Sequence, residues 1–261
     1  LLAGLNAEGK TQVQEKYPTR DHTERMMKTF EANISSSKGI VEIERSDLKT
    51  PGQIEVPGDF SSAAFFIGAC LISENSEIKI KNVGINKTRK AFLDCLLDMN
   101  ANIALTNIRQ LGNEEVADLV IKSSDLLPAK IMEDIVPNLI DELPLFFLIA
   151  SMIEGESEFN GLSELKHKES DRLSIMINNL QKLDVEVQLN EDCLKIIGKK
   201  DRIFSDEVFD SHGDHRIAMT MLVAGLRSTE GLTITNVECI NTSFPEFIDQ
   251  AKTLGFSFKN G

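Results

Sequence analysis

Apolar positions along the chain follow two periods, and the switch between them marks the elements. Leu173, Met176, Ile177, Leu180 and Leu183 recur at helical spacing, which predicts an amphipathic helix over 170–183; Val185-Glu186-Val187 then alternates as a strand. The run Leu143-Pro144-Leu145-Phe146-Phe147-Leu148-Ile149-Ala150 is apolar on nearly every face, so the helix predicted there is buried on all sides. Pro144 fixes its first turn, and Asp141 or Glu142 is expected to cap it.

Laid under one another, such segments recur. The order helix, strand, polar loop, helix, strand is predicted over 65–72, 77–80, 89–99 and 101–104. It returns over 145–153, 157–160, 170–183 and 185–187, and again over 222–226, 232–235, 245–254 and 256–258. A further copy opens the chain. Leu1-Leu2-Ala3-Gly4-Leu5 matches Leu222-Val223-Ala224-Gly225-Leu226, with a strand over 11–14 and a helix over 21–30 behind it. Extra strands are predicted between copies at 39–44, 53–56, 118–121 and 193–197. This alternation gives an α/β or α+β layered fold. In this register the first copy begins inside a helix, so the sequence reads as N-terminally truncated. The strand-to-helix loops hold Thr19-Arg20-Asp21-His22, Asn86-Lys87-Thr88-Arg89, residues 166–172 and Asn241-Thr242-Ser243. Three of these four carry cations.

Composition changes the picture only in part. The length suits one large domain, or one domain with part of another. A net charge of −13 argues against nucleic acid or an anionic membrane surface as the main partner. No apolar run reaches membrane-spanning length. Cys70, Cys95, Cys193 and Cys239 are scattered, with no CxxC pair and no histidine at metal spacing, and read as reduced packing residues of a cytoplasmic protein.

Against that acidic body, Lys166-His167-Lys168-Glu169-Ser170-Asp171-Arg172 gathers three cations at a helix start. Cations there face the positive end of the helix dipole. They make sense where an anion sits between them and the free backbone N–H groups. The plain alternative is a solvated turn tied by Glu169–Arg172 and Lys168–Asp171 pairs, each worth about 0.2–0.5 kcal/mol. Arg216 in Asp214-His215-Arg216 opens another helix, with Asp214 as N-cap; its alternative is pairing with Asp206 and Glu207. Arg20 precedes a helix with Asp21 as cap. His22, His167 and His212 read as exposed loop residues, and His215 as a surface histidine. Gly58-Asp59-Phe60-Ser61-Ser62-Ala63 lacks the glycines and lysine of a phosphate loop and reads as an N-cap with small-residue packing. A carboxylate at the mouth of the buried helix is expected to have a raised pKa through desolvation, whereas Glu169, among cations, stays ionised.

Taken together, seven segments in order resemble the EPSP synthase family of enolpyruvyl transferases. They are Leu2-Ala3-Gly4-Leu5, Thr19-Arg20-Asp21-His22-Thr23-Glu24, Val56-Pro57-Gly58-Asp59 with Ser61-Ser62-Ala63, and Ile140-Asp141-Glu142-Leu143-Pro144. Lys168-Glu169-Ser170-Asp171-Arg172-Leu173, Asp214-His215-Arg216-Ile217-Ala218-Met219 and Thr242-Ser243-Phe244-Pro245 complete the set. The related transferases acting on UDP-N-acetylglucosamine share the fold, but the Lys-Glu-Ser-Asp-Arg and Asp-His-Arg segments favour the shikimate branch.

The resemblance implies an inside-out α/β barrel of repeated βαβαββ units, with 1–56 as the remnant of a first domain and 57–261 as a second domain of three units. It implies addition–elimination transfer of the enolpyruvyl group of phosphoenolpyruvate to the 5-hydroxyl of shikimate 3-phosphate, releasing phosphate. No metal or organic cofactor is implied, and the full-length protein is a monomer. Carried over by position, Arg172 and Arg216 grip phosphoenolpyruvate, Lys168 touches both substrates, and Asp141 and Glu169 transfer protons. Arg20 approaches the shikimate phosphate and His215 lines the site. Two departures stand out. Thr242 occupies a position where some members carry lysine, and the family's N-terminal Lys-Ser and Asn-Ser-Gly-Thr segments are not in this sequence. The resemblance therefore implies little activity for these residues alone.

Overall fold

A computed structural model describes residues 1–17 and 19–259. The chain opens with a 3-10 turn Ala3–Asn6, strand β1 (Lys10–Gln14), helix α1 (His22–Thr29), and strands β2 (Ile34–Ser37) and β3 (Ile40–Glu44). Helix α2 (Phe60–Ile72), β4 (Glu77–Gly84), α3 (Ala91–Asp98), β5 (Asn102–Leu111) and β6 (Glu114–Lys122) follow. Next come β7 (Lys130–Ile131), α4 (Leu143–Ser151), β8 (Gly155–Asn160), α5 (Arg172–Lys182), β9 (Glu186–Asn190) and β10 (Cys193–Gly198). The last elements are β11 (Val208–Asp210), α6 (His215–Ala224), a 3-10 turn Gly225–Arg227, β12 (Thr233–Thr235) and α7 (Phe247–Thr253).

The sheets share an internal order. β1-β3-β2, β4-β6-β5 and β8-β10-β9 are antiparallel triplets with the last strand in the middle. A short parallel partner stands before each of α2, α4 and α6: the Gly58–Val83 bridge, β7 on β8, and β11 on β12. These crossovers carry the three helices back across the sheets and into contact with one another.

α2 and α4 are apolar nearly all round, and every residue of α4 is buried. Such helices are stable only inside a core. Gly68 is what lets α2 meet α4: a Cβ at that position would lie 2.9 Å from Leu145 Cδ1. The resulting core runs from Phe60 to Ala251, and a smaller cluster of Leu5, Met27 and Ile43 sits under β1–β3.

Two strands predicted from sequence do not form. Residues 53–56 are exposed and pair with no strand among the described residues, isolated between Gly52 and Pro57. Residues 256–258 also have no partner strand among the described residues; Phe256 and Phe258 stack on each other at 6.0 Å between centroids. β2 is present although the segment Ile34-Ser35-Ser36-Ser37 carries no apolar alternation, because β3 supplies its edge.

Candidate functional site

The first turns of α2, α4 and α6 converge, as shown by one chain of contacts from Ser61 to Glu142 to Arg216. Two of the ends are capped. Asp59 accepts from Ser62 N at 2.9 Å, and Asp214 accepts from Arg216 N at 2.8 Å and Ile217 N at 3.4 Å. α4 is different: neither Asp141 nor Glu142 caps it, contrary to the sequence expectation, because both carboxylates are drawn to arginines. Asp21 likewise does not cap α1; it accepts from Arg25 at 2.9 Å and Asn86 at 2.6 Å.

Asp141 is the centre of the cluster. Oδ2 contacts Arg20 Nη2, and lies 3.7 Å from Arg216 Nη2 and 3.9 Å from Arg89 Nη2, while Oδ1 lies 3.4 Å from Arg172 Nη1. Burial pushes the Asp141 carboxyl up, but Arg216, Arg20, Arg89 and Lys168 outweigh it and hold its pKa at about 2. Desolvation alone would have raised it, as the sequence suggested; the cations, which come from three loops and the first turn of α6, reverse the sign. Asp141 is therefore a permanent carboxylate at neutral pH.

Arg172 opens α5 and is fully buried. Its Nε donates to Asp214 Oδ2 at 2.8 Å and its Nη2 to Glu169 Oε2 at 2.5 Å. Asp214 also accepts from Ser170 Oγ at 2.9 Å. Burial raises the Asp214 carboxyl, yet the Arg172 hydrogen bond and charge bring it below the ordinary carboxylate range. Of the two pairs in the solvated-turn alternative only Glu169–Arg172 forms, and its arginine is buried rather than solvated. Asp171 caps α5 through Ser174 N at 3.0 Å. Lys168 is not on α5 at all; it is half-buried after the 3-10 turn Ser163–His167.

Arg216 turns away from Asp206 and Glu207 and donates to Ser61 Oγ at 2.8 Å and to the Asp141 carbonyl at 3.0 Å. Burial and the neighbouring arginines lower its pKa, against the pull of Asp141 and Glu142. His215 beside it is half-buried, and burial, then Arg216, push its pKa below the ordinary histidine value. His22 is exposed as expected but opens α1 rather than lying in a loop, and its Nδ1 meets Glu114 Oε1 at 2.7 Å, beside the buried Asn86. A cavity of about 610 Å³ adjoins this junction and shares only Arg89 with the arginine cluster. Thr242 is tied to the Cys239 carbonyl at 2.7 Å.

The structure thus gathers Arg20, Asp141, Lys168, Glu169, Arg172, His215 and Arg216 in one region. Sequence reasoning missed Arg89, Glu142 and Ser61 as partners. Arg89 ends one of the cation-bearing loops of the repeat register, and that position was its available signal. Four arginines here meet the carboxylates of Asp141, Glu142, Glu169 and Asp214, and Lys168 adds its charge beside Asp141. Charge-assisted hydrogen bonds and helix N-termini together suit the binding of small polyanions.

Residues 1–251 match the family described as EPSP synthase (3-phosphoshikimate 1-carboxyvinyltransferase). The 3-phosphoshikimate 1-carboxyvinyltransferase of Geotalea uraniireducens is 45% identical over 248 residues, covering 95% of this chain and 57% of that protein. The EPSP synthase structure from Acinetobacter baumannii superposes with a TM-score of 0.92 at 39% identity, over 98% of this chain and 59% of its own. The enolpyruvyl transferase NikO from Streptomyces tendae, 16% identical, shares the fold with a TM-score of 0.78 over 98% of this chain and 58% of its own. The chain spans less than two thirds of the length of each.

Proposed function

This chain belongs to the EPSP synthase family, and on that premise we propose that it supplies part of an enzyme that transfers the enolpyruvyl group of phosphoenolpyruvate to the 5-hydroxyl of shikimate 3-phosphate. The observation that carries the reading is the convergence of Arg20, Arg172, Arg216 and Lys168 on Asp141 at the buried helix ends. Two anionic substrates must be brought together there and a charged tetrahedral adduct stabilised, which fixed cations do without reorganisation.

In the proposed reaction the 5-hydroxyl oxygen bonds to C2 of phosphoenolpyruvate and a proton is added at C3. The adduct then loses a C3 proton and phosphate, which restores the vinyl group. Arg172 and Arg216 hold phosphoenolpyruvate, and Lys168 bridges the two substrates. Arg20 meets the shikimate phosphate, and His215 lines the site as a neutral ring. Asp141, ionised before the reaction, is the carboxylate that takes the hydroxyl proton as the carbon–oxygen bond forms. Glu169 is the second proton-transfer carboxylate, set against Arg172.

The shared sheet order supports an inside-out barrel of repeated units, and the two core clusters support a division at 56/57. Four free cysteines fit a cytoplasmic protein. Calorimetric titration of phosphoenolpyruvate tests the assignment. Shikimate 3-phosphate is expected to tighten its binding and a UDP-amino sugar to leave it unchanged; the reverse pattern would transfer the assignment to the other acceptor class.

A further inference from the structure

Asp141 and its neighbour Glu142 are not equivalent carboxylates. Glu142 is 2% exposed and both of its oxygens are taken. Arg89 Nη1 donates to Oε2 at 3.0 Å and Arg89 Nη2 to Oε1 at 3.0 Å, a bidentate pair, and Ser61 Oγ also donates to Oε1. Ser61 is just as fully used. A hydroxyl has one proton and two acceptor positions. Its proton goes to Glu142, and its acceptor positions take Arg89 Nη2 and Arg216 Nη1, the latter at 2.8 Å. Ser61 has no position left for a substrate, and Glu142 is too deeply buried to offer one.

We propose that Ser61, Arg89 and Glu142 form a buried bracket of positioning residues that fixes the rotation of the Arg216 guanidinium. The chemistry of that group makes the orientation matter. Arg216 Nη1 is committed to Ser61 and to the Asp141 carbonyl at 3.0 Å. A guanidinium has five N–H donors, so those on Nε and Nη2 form the remaining edge. That edge is the one able to hold a phosphate or carboxylate bidentately. Glu142 pairs with Arg89 within the bracket, so Arg89 anchors Ser61 with its own charge matched. The bracket spans α2, the loop before α3, and α4, all within one core, so its geometry is fixed by packing before any ligand arrives.

The inference that the oriented edge grips an anion rests on the proposed function; the orientation itself does not. Both are tested with Ser61→Ala, a small buried change. Arginine side-chain 15N NMR reads rotation of the Arg216 guanidinium, with the Arg216 signals assigned from an Arg216→Lys variant. In the unaltered chain the Nη signals of Arg216 are expected to be split by slow rotation. Ser61→Ala is expected to merge them while leaving those of Arg172 unchanged, and to weaken phosphoenolpyruvate binding by about tenfold, the loss of one hydrogen bond to a charged group. Glu142→Gln, which keeps the shape, is expected to act in the same direction. Signals that remain split in Ser61→Ala, with affinity within twofold, would overturn the bracket. Merged signals with unchanged phosphoenolpyruvate affinity in both Ser61→Ala and Arg216→Lys would keep the bracket and overturn the anion reading alone.

Discussion

Arg172 and Asp214 are joined by an Nε–Oδ2 contact of 2.8 Å in which neither side chain reaches solvent. A pair of this kind resists removal of one partner far more than it rewards formation, because the survivor is left charged and dry. Asp214 also caps α6. Asp214→Ala is therefore expected to cost about 3–5 kcal/mol, read from the urea midpoint at constant slope. A loss below about 1 kcal/mol would show that the pair is not held in solution.

The low pKa of Asp141 sets an acid limb. A carboxyl at about 2 when folded, against an ordinary 3.8, contributes stability that is complete above the unfolded value and lost as pH falls through the folded one. The contribution is about 2 kcal/mol. Asp141→Asn is expected to flatten the stability profile between the two values, even though its overall stability is lower. An unchanged slope in that window would contradict the geometry.

For His215 the sign is opposite in origin and similar in outcome. Burial and Arg216 depress its folded pKa, so the unfolded chain takes up the proton first and stability declines as pH drops below 6.5. NMR titration of the His215 ring is expected to give a midpoint under that value. A midpoint above it would mean that Asp214 governs the ring rather than Arg216.

Glu169 holds the buried Arg172 from an exposed position. Glu169→Gln should change stability by less than about 1 kcal/mol, as for other exposed partners. Phosphoenolpyruvate binding should tighten, because an incoming anion no longer displaces a carboxylate from Arg172. Turnover in the enzyme should fall. Weaker binding in this variant would sink the competition between Glu169 and substrate.

Asn86 joins the two cores through Asp21, His22 and Glu114. Asn86→Ala is expected to cost about 1–3 kcal/mol. Hydrogen exchange should localise the loss to α1 and β1–β3 while leaving α2, α4 and α6 protected. Uniform loss across all five regions would mean that the two cores unfold as one.

Much of this was readable from sequence because the central helices are apolar on all faces and their polar residues fall at one end. Asp214 as a cap, Asp59 as a cap, and the fully buried helix through Leu145 and Ile149 all follow from local spacing. What local reasoning could not supply was pairing between loops distant in the chain. Asp141 was expected to be raised by burial, and only the arrival of Arg20 from one side and Arg216 from another reverses that. Arg89 was visible as a loop cation, but its partner Glu142 lies 53 residues away. The unpaired stretch at 53–56 had the composition of a strand and lacked only a neighbour.

The contact of α2 with α4 at Gly68 has a mechanical consequence. Helices that touch this closely, sealed by the same core as α6, behave as one stiff block, and their ends keep fixed mutual spacing. Arg20 lies on the far side of residues 50–56, which are exposed and without regular structure, and meets that block through Asp141. The end of α6 that carries Arg216 is therefore a fixed anvil, and the span a ligand must bridge on that side is set by the packing of α2, α4 and α6 before it arrives.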